Sequence, residues 1–151
     1  MIVDVSHLSD RGFWDIAEHS TRPFAASHSN CRALAPHCRN LTDEMIRVMA
    51  EKGGLVGLNY CSGFLDDQPR PELCRSTTAL MARHAAHFKQ VGGIEIIGLG
   101  SDFDGIGGKL EMGDCSKLPL LADALRKEGF TEDEVEQIFF RNARRFFEEN
   151  L

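Results

Sequence analysis

The chain has 151 residues, 42% of them apolar and 26% charged, with a formal net charge of −6. That is enough chain and enough apolar side chain for one ordinary globular domain over residues 1–151. The acidic balance argues against a partner held through a phosphate backbone, which needs a basic face. No apolar stretch approaches the ~20 residues that cross a bilayer, so neither a nucleic-acid partner nor a membrane segment is expected.

Met1–Val5 is a short, mostly apolar run that predicts a first strand, entered without a preceding turn. Leu8–Ser20 carries Phe13, Ile16 and Ala17 at helical spacing, and Pro23 closes it. Pro23–Ser27 reads as a second strand, and Ser29–Leu41, with Pro36 and many polar residues, as a loop. Thr42-Asp43-Glu44 opens a helix with Ile46 and Met49 on its buried face, and Lys52-Gly53-Gly54 ends it. Leu55–Asn59 predicts a third strand, followed by a surface loop over Cys61–Leu73 with Gly63 and two prolines. Ser76–Val91 reads as a long helix stopped by Gly92-Gly93, and Ile94–Gly100 as a fourth strand rich in β-branched residues. After the glycine-rich loop Gly105–Gly113, Leu118–Glu128 and Glu132–Glu149 predict two final helices. The capping box Thr131-Glu132-Asp133-Glu134 opens the second.

Four strand–helix units and an extra terminal helix imply an α/β fold with a parallel sheet covered by helices. Cys31, Cys38, Cys61, Cys74 and Cys115 are odd in number and form no CxxC pair. Free thiols in a reducing compartment are therefore the expectation, which makes the protein cytoplasmic.

Each predicted strand ends in polar residues: Ser6-His7, Ser27-His28, Asn59-Tyr60 and Ser101-Asp102-Phe103-Asp104. In parallel α/β folds ligands bind beyond the carboxyl ends of the strands. Neighbouring strands lie ~4.8 Å apart, so His7 and His28 could reach one divalent metal through their imidazole nitrogens. Polar residues also end strands simply because turns begin there, and a strand-end histidine often bonds only backbone. Asp102 faces the same mouth and could act on a substrate amine or a bound water. Arg39 reads either as a bidentate clamp for a carboxylate or as a solvated loop charge. His84 and His87, three residues apart on one helix, read as surface or packing residues. His19 and His37 sit near loop boundaries with nothing beside them to favour chemistry. The turn Asp102–Gly108 has neither EF-hand spacing nor a phosphate-binding glycine motif.

Taken in order, Asp4-Val5-Ser6-His7-Leu8-Ser9, Pro23-Phe24-Ala25-Ala26-Ser27-His28-Ser29, Arg39-Asn40-Leu41-Thr42-Asp43 and Gly98-Leu99-Gly100-Ser101-Asp102-Phe103-Asp104-Gly105 resemble the membrane (renal) dipeptidase family. Asp114–Pro119 and Asn142–Phe146 extend the resemblance to the end of the chain. It implies a TIM-type (β/α)8 barrel with two zinc ions bridged by a glutamate, hydrolysing dipeptides and often tolerating a D-residue at the C-terminal position. By resemblance His7 and His28 fall on the two histidines of the second zinc. Arg39 falls on the residue that binds the substrate carboxylate, and Asp102 on the active-site aspartate near the amino end.

The family's first zinc uses an early His-x-Asp pair, and no HxD occurs anywhere in this sequence. Nor is there a counterpart of the bridging glutamate or of the further histidine that stabilises the tetrahedral intermediate. A full barrel needs eight strands and ~250 residues. The chain therefore reads as the C-terminal half of such a barrel, about four βα units plus a terminal helix. Its expected partners are the missing N-terminal half, or a second copy of itself, and a dipeptide substrate; alone it is expected to be inactive. The alternatives are a non-catalytic, flavodoxin-like four-stranded module for binding or assembly, and a two-metal hydrolase acting on a non-peptide amide.

Overall fold

The computed structural model describes residues 1–151. Three short strands, β1 (Ala25–Ala26), β2 (Leu55–Leu58) and β3 (Ile97–Leu99), form a parallel sheet in the order β1-β2-β3. Ala25 pairs with Leu55 and Ala26 with Val56, and Val56 pairs in turn with Ile97 on the other side.

Met1–Val5 corrects the first prediction, because it does not form a strand. Asp4 makes one isolated parallel bridge to Ala25, with Val5 N–H donating to Ala25 O at 2.8 Å and Ala25 N–H donating to Val3 O at 2.9 Å. Immediately afterwards Leu8 N–H donates to Val5 O at 3.0 Å, and that turn leaves no length for a ladder. The segment still lies beside β1, so the four predicted strand ends remain neighbours in chain order. The fourth strand is also shorter than expected, since Ile94–Ile96 is a 3-10 turn after Gly93, whose φ is +89°.

The helices are α1 (Asp10–His19), α2 (Asp43–Glu51), α3 (Ser62–Leu65), α4 (Thr78–Gly92), α5 (Leu118–Lys127), α6 (Glu132–Glu136) and α7 (Asn142–Asn150). Their starts follow local chemistry: the hydroxyls of Ser9, Thr42 and Thr77 accept the backbone N–H of Gly12, Met45 and Leu80. Thr131 forms the capping box with Glu134 that the sequence announces. The predicted surface loop Cys61–Leu73 instead holds α3 and buries Leu65, because an apolar side chain within reach of the core outweighs the polar character around it. The single helix expected over Glu132–Glu149 is broken by a π-helical turn at Gln137–Arg141.

Side chains alternate across the strands as the pleat requires. Ala26, Val56, Leu58 and Ile97 join Phe13, Ile46, Met49, Met81, Phe88 and Leu121 of the helices in one buried cluster. Ala25 and Leu55, the first residues of their strands, pack instead against Phe146 of α7. Asn142 and Arg145 donate to Ile97 O and Glu95 O, so α7 closes the amino ends of the strands. The carboxyl ends are left free to build a site.

Candidate metal and substrate site

His7 and His28 leave adjacent segments at the carboxyl end of the sheet and turn toward each other. Their Nε2 atoms lie 2.9 Å apart, with ring centroids 4.9 Å apart. Backbone contacts hold the two together: His28 N–H donates to Ser6 Oγ at 2.9 Å, and Ser6 is itself buried. Two nitrogens each ~2.0–2.1 Å from one zinc can lie no more than ~4.2 Å apart, so this pair suits a single divalent ion. No group of three or more His, Cys, Asp or Glu side chains suited to a metal comes together in the structure. The pair is thus short of the three protein ligands that a catalytic zinc usually has.

Behind His28 stands a chain of polar groups that its position in the sequence did not announce. His28 Nδ1 lies 2.7 Å from Ser27 Oγ, and the Ser27 hydroxyl donates to the Asp4 carboxylate in a short contact. Asp4 Oδ1 also accepts the backbone N–H of Ser6 at 3.1 Å and of Ser27 at 3.0 Å. Partial burial pushes the Asp4 carboxyl up, but the hydrogen bonds from Ser27 and Ser6 outweigh it and hold the group below the ordinary aspartate value. Sequence reading missed Asp4 and Ser27 as site residues. The only signal was their place in the two histidine-bearing segments, and it acquires meaning once Asp4 is known to bridge to Ala25.

Arg39 reaches the same end of the sheet from the loop after β1. Its Nε donates to Ser6 O at 2.7 Å, its guanidinium carbon stands 5.3 Å from the centre of the Phe64 ring, and its Nη2 is buried without a partner. A desolvated N–H with no acceptor is costly. The reading of Arg39 as a solvated loop charge is therefore set aside. His37 accepts the Arg39 backbone N–H on Nδ1 at 3.1 Å and packs on Phe64 with ring centroids 4.6 Å apart. His37 helps to shape the arginine's loop.

Asp102 follows β3 with φ +68°, a left-handed conformation that aspartate tolerates better than most residues. Its Oδ2 accepts Asn59 Nδ2 at 3.0 Å; Asn59, fully buried, also accepts Cys61 N–H on Oδ1 at 2.6 Å. Asn59 therefore connects the ends of β2 and β3. Tyr60 turns the other way into the core, where burial pushes its phenol well above the usual tyrosine range and leaves its hydroxyl unpartnered.

His19 is exposed, and the two histidines of α4 are held by local partners. His84 is buried, taking Cys31 N–H on Nδ1 at 3.1 Å and meeting Leu65 O through Nε2 at 3.0 Å, and burial pushes its pKa down to about 4. His87 Nε2 lies 2.7 Å from Asp43 Oδ1. The structure thus gathers His7, His28 and Arg39 around Ser6, and places Asp102 across Asn59 from them.

A family model described as membrane dipeptidase (peptidase family M19) matches residues 1–150. A Klebsiella pneumoniae protein described as lying in the pqqA 5' region is 39% identical over 142 residues, which is 94% of this chain and 52% of that protein. "Dipeptidase tcpJ" of Claviceps purpurea is 31% identical, over 99% of this chain and 34% of its own length. Among solved structures, a Rhodobacter sphaeroides metallopeptidase liganded with a phosphinate mimic of the dipeptide L-Ala-D-Ala superposes with a TM-score of 0.90 at 34% identity, covering 98% of this chain and 42% of its own. A structure described as dipeptidase AC, of the same M19 family, gives a TM-score of 0.88 at 35% identity, covering 96% of this chain and 43% of its own. The chain spans about half, or less, of the length of these relatives.

Proposed function

The chain belongs to the membrane dipeptidase family, peptidase family M19, and on that premise we propose that it forms the C-terminal half of a (β/α)8 barrel and supplies one side of a two-metal dipeptidase site. The observation that carries this reading is the 2.9 Å approach of His7 Nε2 and His28 Nε2 at the carboxyl end of a parallel sheet. Those two nitrogens would hold one zinc, with the remaining ligands contributed by a segment outside these residues or by a second copy. An ion held by these imidazoles would supply Lewis-acid chemistry, polarising a carbonyl and making a bound water more acidic.

The chain's own side chains supply recognition and proton handling. Arg39, held by Ser6 O and packed on Phe64, would offer its guanidinium to the terminal carboxylate and so measure the substrate to a dipeptide. Asp102, oriented by Asn59, bonds the amino end or takes up a proton near it. The phosphinate dipeptide mimic bound by the Rhodobacter relative supports a small peptide with a free carboxylate as the substrate class. A non-catalytic binding module is not favoured, because it has no use for an imidazole pair converging at the carboxyl end of the sheet.

The test is metal analysis and dipeptide hydrolysis by the 151-residue chain, alone and combined with the N-terminal part of a relative. Zinc is expected to bind weakly to the chain alone and tightly to the combination, with hydrolysis confined to the combination. His7→Ala and His28→Ala should each abolish the gain. Unchanged zinc content in both variants would sink the metal assignment. Hydrolysis at ordinary enzyme rates by the chain alone would overturn the half-site.

A further inference from the structure

A neutral imidazole carries its proton on Nδ1 or on Nε2, and only the bare nitrogen can bind a metal. The hydrogen bonds around His28 decide between them. The Asp4 carboxylate is an acceptor only, and it already takes two backbone N–H groups on Oδ1. Its Oδ2 faces Ser27 Oγ, which has a single proton to give, so that proton goes to Asp4. Only lone pairs of Ser27 Oγ then remain for His28 Nδ1, 2.7 Å away, and that contact is a hydrogen bond only if Nδ1 carries the proton.

We propose that Asp4 and Ser27 are positioning residues that keep the His28 proton on Nδ1 and present its bare Nε2 to the metal position. The consequence for zinc rests on the metal reading above; the tautomer itself does not. His7 differs. Without metal, its 2.9 Å contact with the bare His28 Nε2 requires a proton on His7 Nε2. His28 is therefore preset for an ion, whereas His7 must move its proton to Nδ1 before both lone pairs can meet one centre. Ligating histidines elsewhere are oriented by a partner on the second nitrogen, and removing such partners costs ~10–100-fold in metal affinity. In this chain that partner is a hydroxyl polarised by a carboxylate on the neighbouring segment.

The experiment is nitrogen-15 NMR of the histidine rings in the metal-free chain with the imidazoles neutral, joined to zinc titration against a competing chelator. In the wild type, His28 should show a protonated Nδ1 and a bare Nε2. Ser27→Ala removes the acceptor, and Asp4→Ala frees the hydroxyl to donate to Nδ1. Both should raise the Nε2–H form and weaken zinc binding by on the order of 10-fold or more. Ser27→Thr should restore both properties, which a general loss of stability would not do. Ser27 is solvent-facing, so these changes leave the core intact. A wild-type His28 protonated on Nε2, or a tautomer indifferent to both alanine variants, overturns the proposal. A tautomer that responds while zinc affinity stays constant keeps the positioning role and sinks the metal reading instead.

Discussion

Gly57 and Gly100 leave no room for a side chain at the point where the histidine turn is fixed. A Cβ on either would stand 2.0 Å from Ser27 O, and on Gly57 also 2.8 Å from the Gly100 Cα. Those obstacles are backbone, so they cannot swing aside; the Ser27 carbonyl is gripped between two glycines, and the adjacent His28 ring inherits its direction from that grip. Gly57→Ala or Gly100→Ala should therefore destabilise the chain by about 1–3 kcal/mol or more in denaturant unfolding and weaken zinc binding as well. Gly113→Ala, with nothing within 4 Å of its Cβ position, is the control and should change neither. Asp102 shows a related economy, since its left-handed backbone suits an aspartate or asparagine and penalises a β-branched replacement.

The terminal helical run shows what one extra residue per turn accomplishes. Its buried positions Ile138, Asn142, Phe146 and Asn150 recur every fourth residue, a spacing that drifts around an ideal helix of ~3.6 residues per turn. The π-helical turn Gln137–Arg141 absorbs part of that drift and brings Asn142 against β3. Asn142 Nδ2 donates to Ile94 O at 2.7 Å and to Ile97 O at 2.9 Å, satisfying carbonyls around the start of the strand. Asn142→Leu would leave those carbonyls without this donor, so it should lower the urea midpoint by the equivalent of about 1–3 kcal/mol. An unchanged midpoint would mean that the turn is held by apolar packing alone.

Across the whole molecule, His84 couples three elements: α4, which carries it, the loop after β1 through Cys31, and α3 through Leu65. Its ring is buried and neutral, and protonation would put an unpaired charge among apolar neighbours. The folded pKa of about 4 lies below the ordinary value of 6.5, so between them the unfolded chain binds more protons than the folded one. Stability should therefore be fully present above pH 6.5 and fall as the pH drops toward about 4, by on the order of 3 kcal/mol. Unfolding free energies measured across that window should show the slope, and a His84→Ala variant, less stable throughout, should lose it. Because the loop after β1 carries Arg39, loss of the His84 contacts should also loosen the arginine before the sheet itself opens.

The parallel α/β alternation, the capped helix starts at Thr42 and Thr131, and the polar residues at the carboxyl ends of the sheet were legible in the sequence. Each depends on neighbours within about one turn of helix or one stretch of strand, where the responsible side chain and its backbone partner are already close. His7, His28, Arg39 and Asp102 were legible as candidates for the same reason, and the resemblance assigned them roles. Tertiary structure alone decided that Met1–Val5 makes a single bridge, that Asp4 thereby meets Ser27, and that Asn59 holds Asp102. Those contacts join residues far apart in sequence. They exist only where packing of the helices sets the strand register, and a linear string of residues does not state that register.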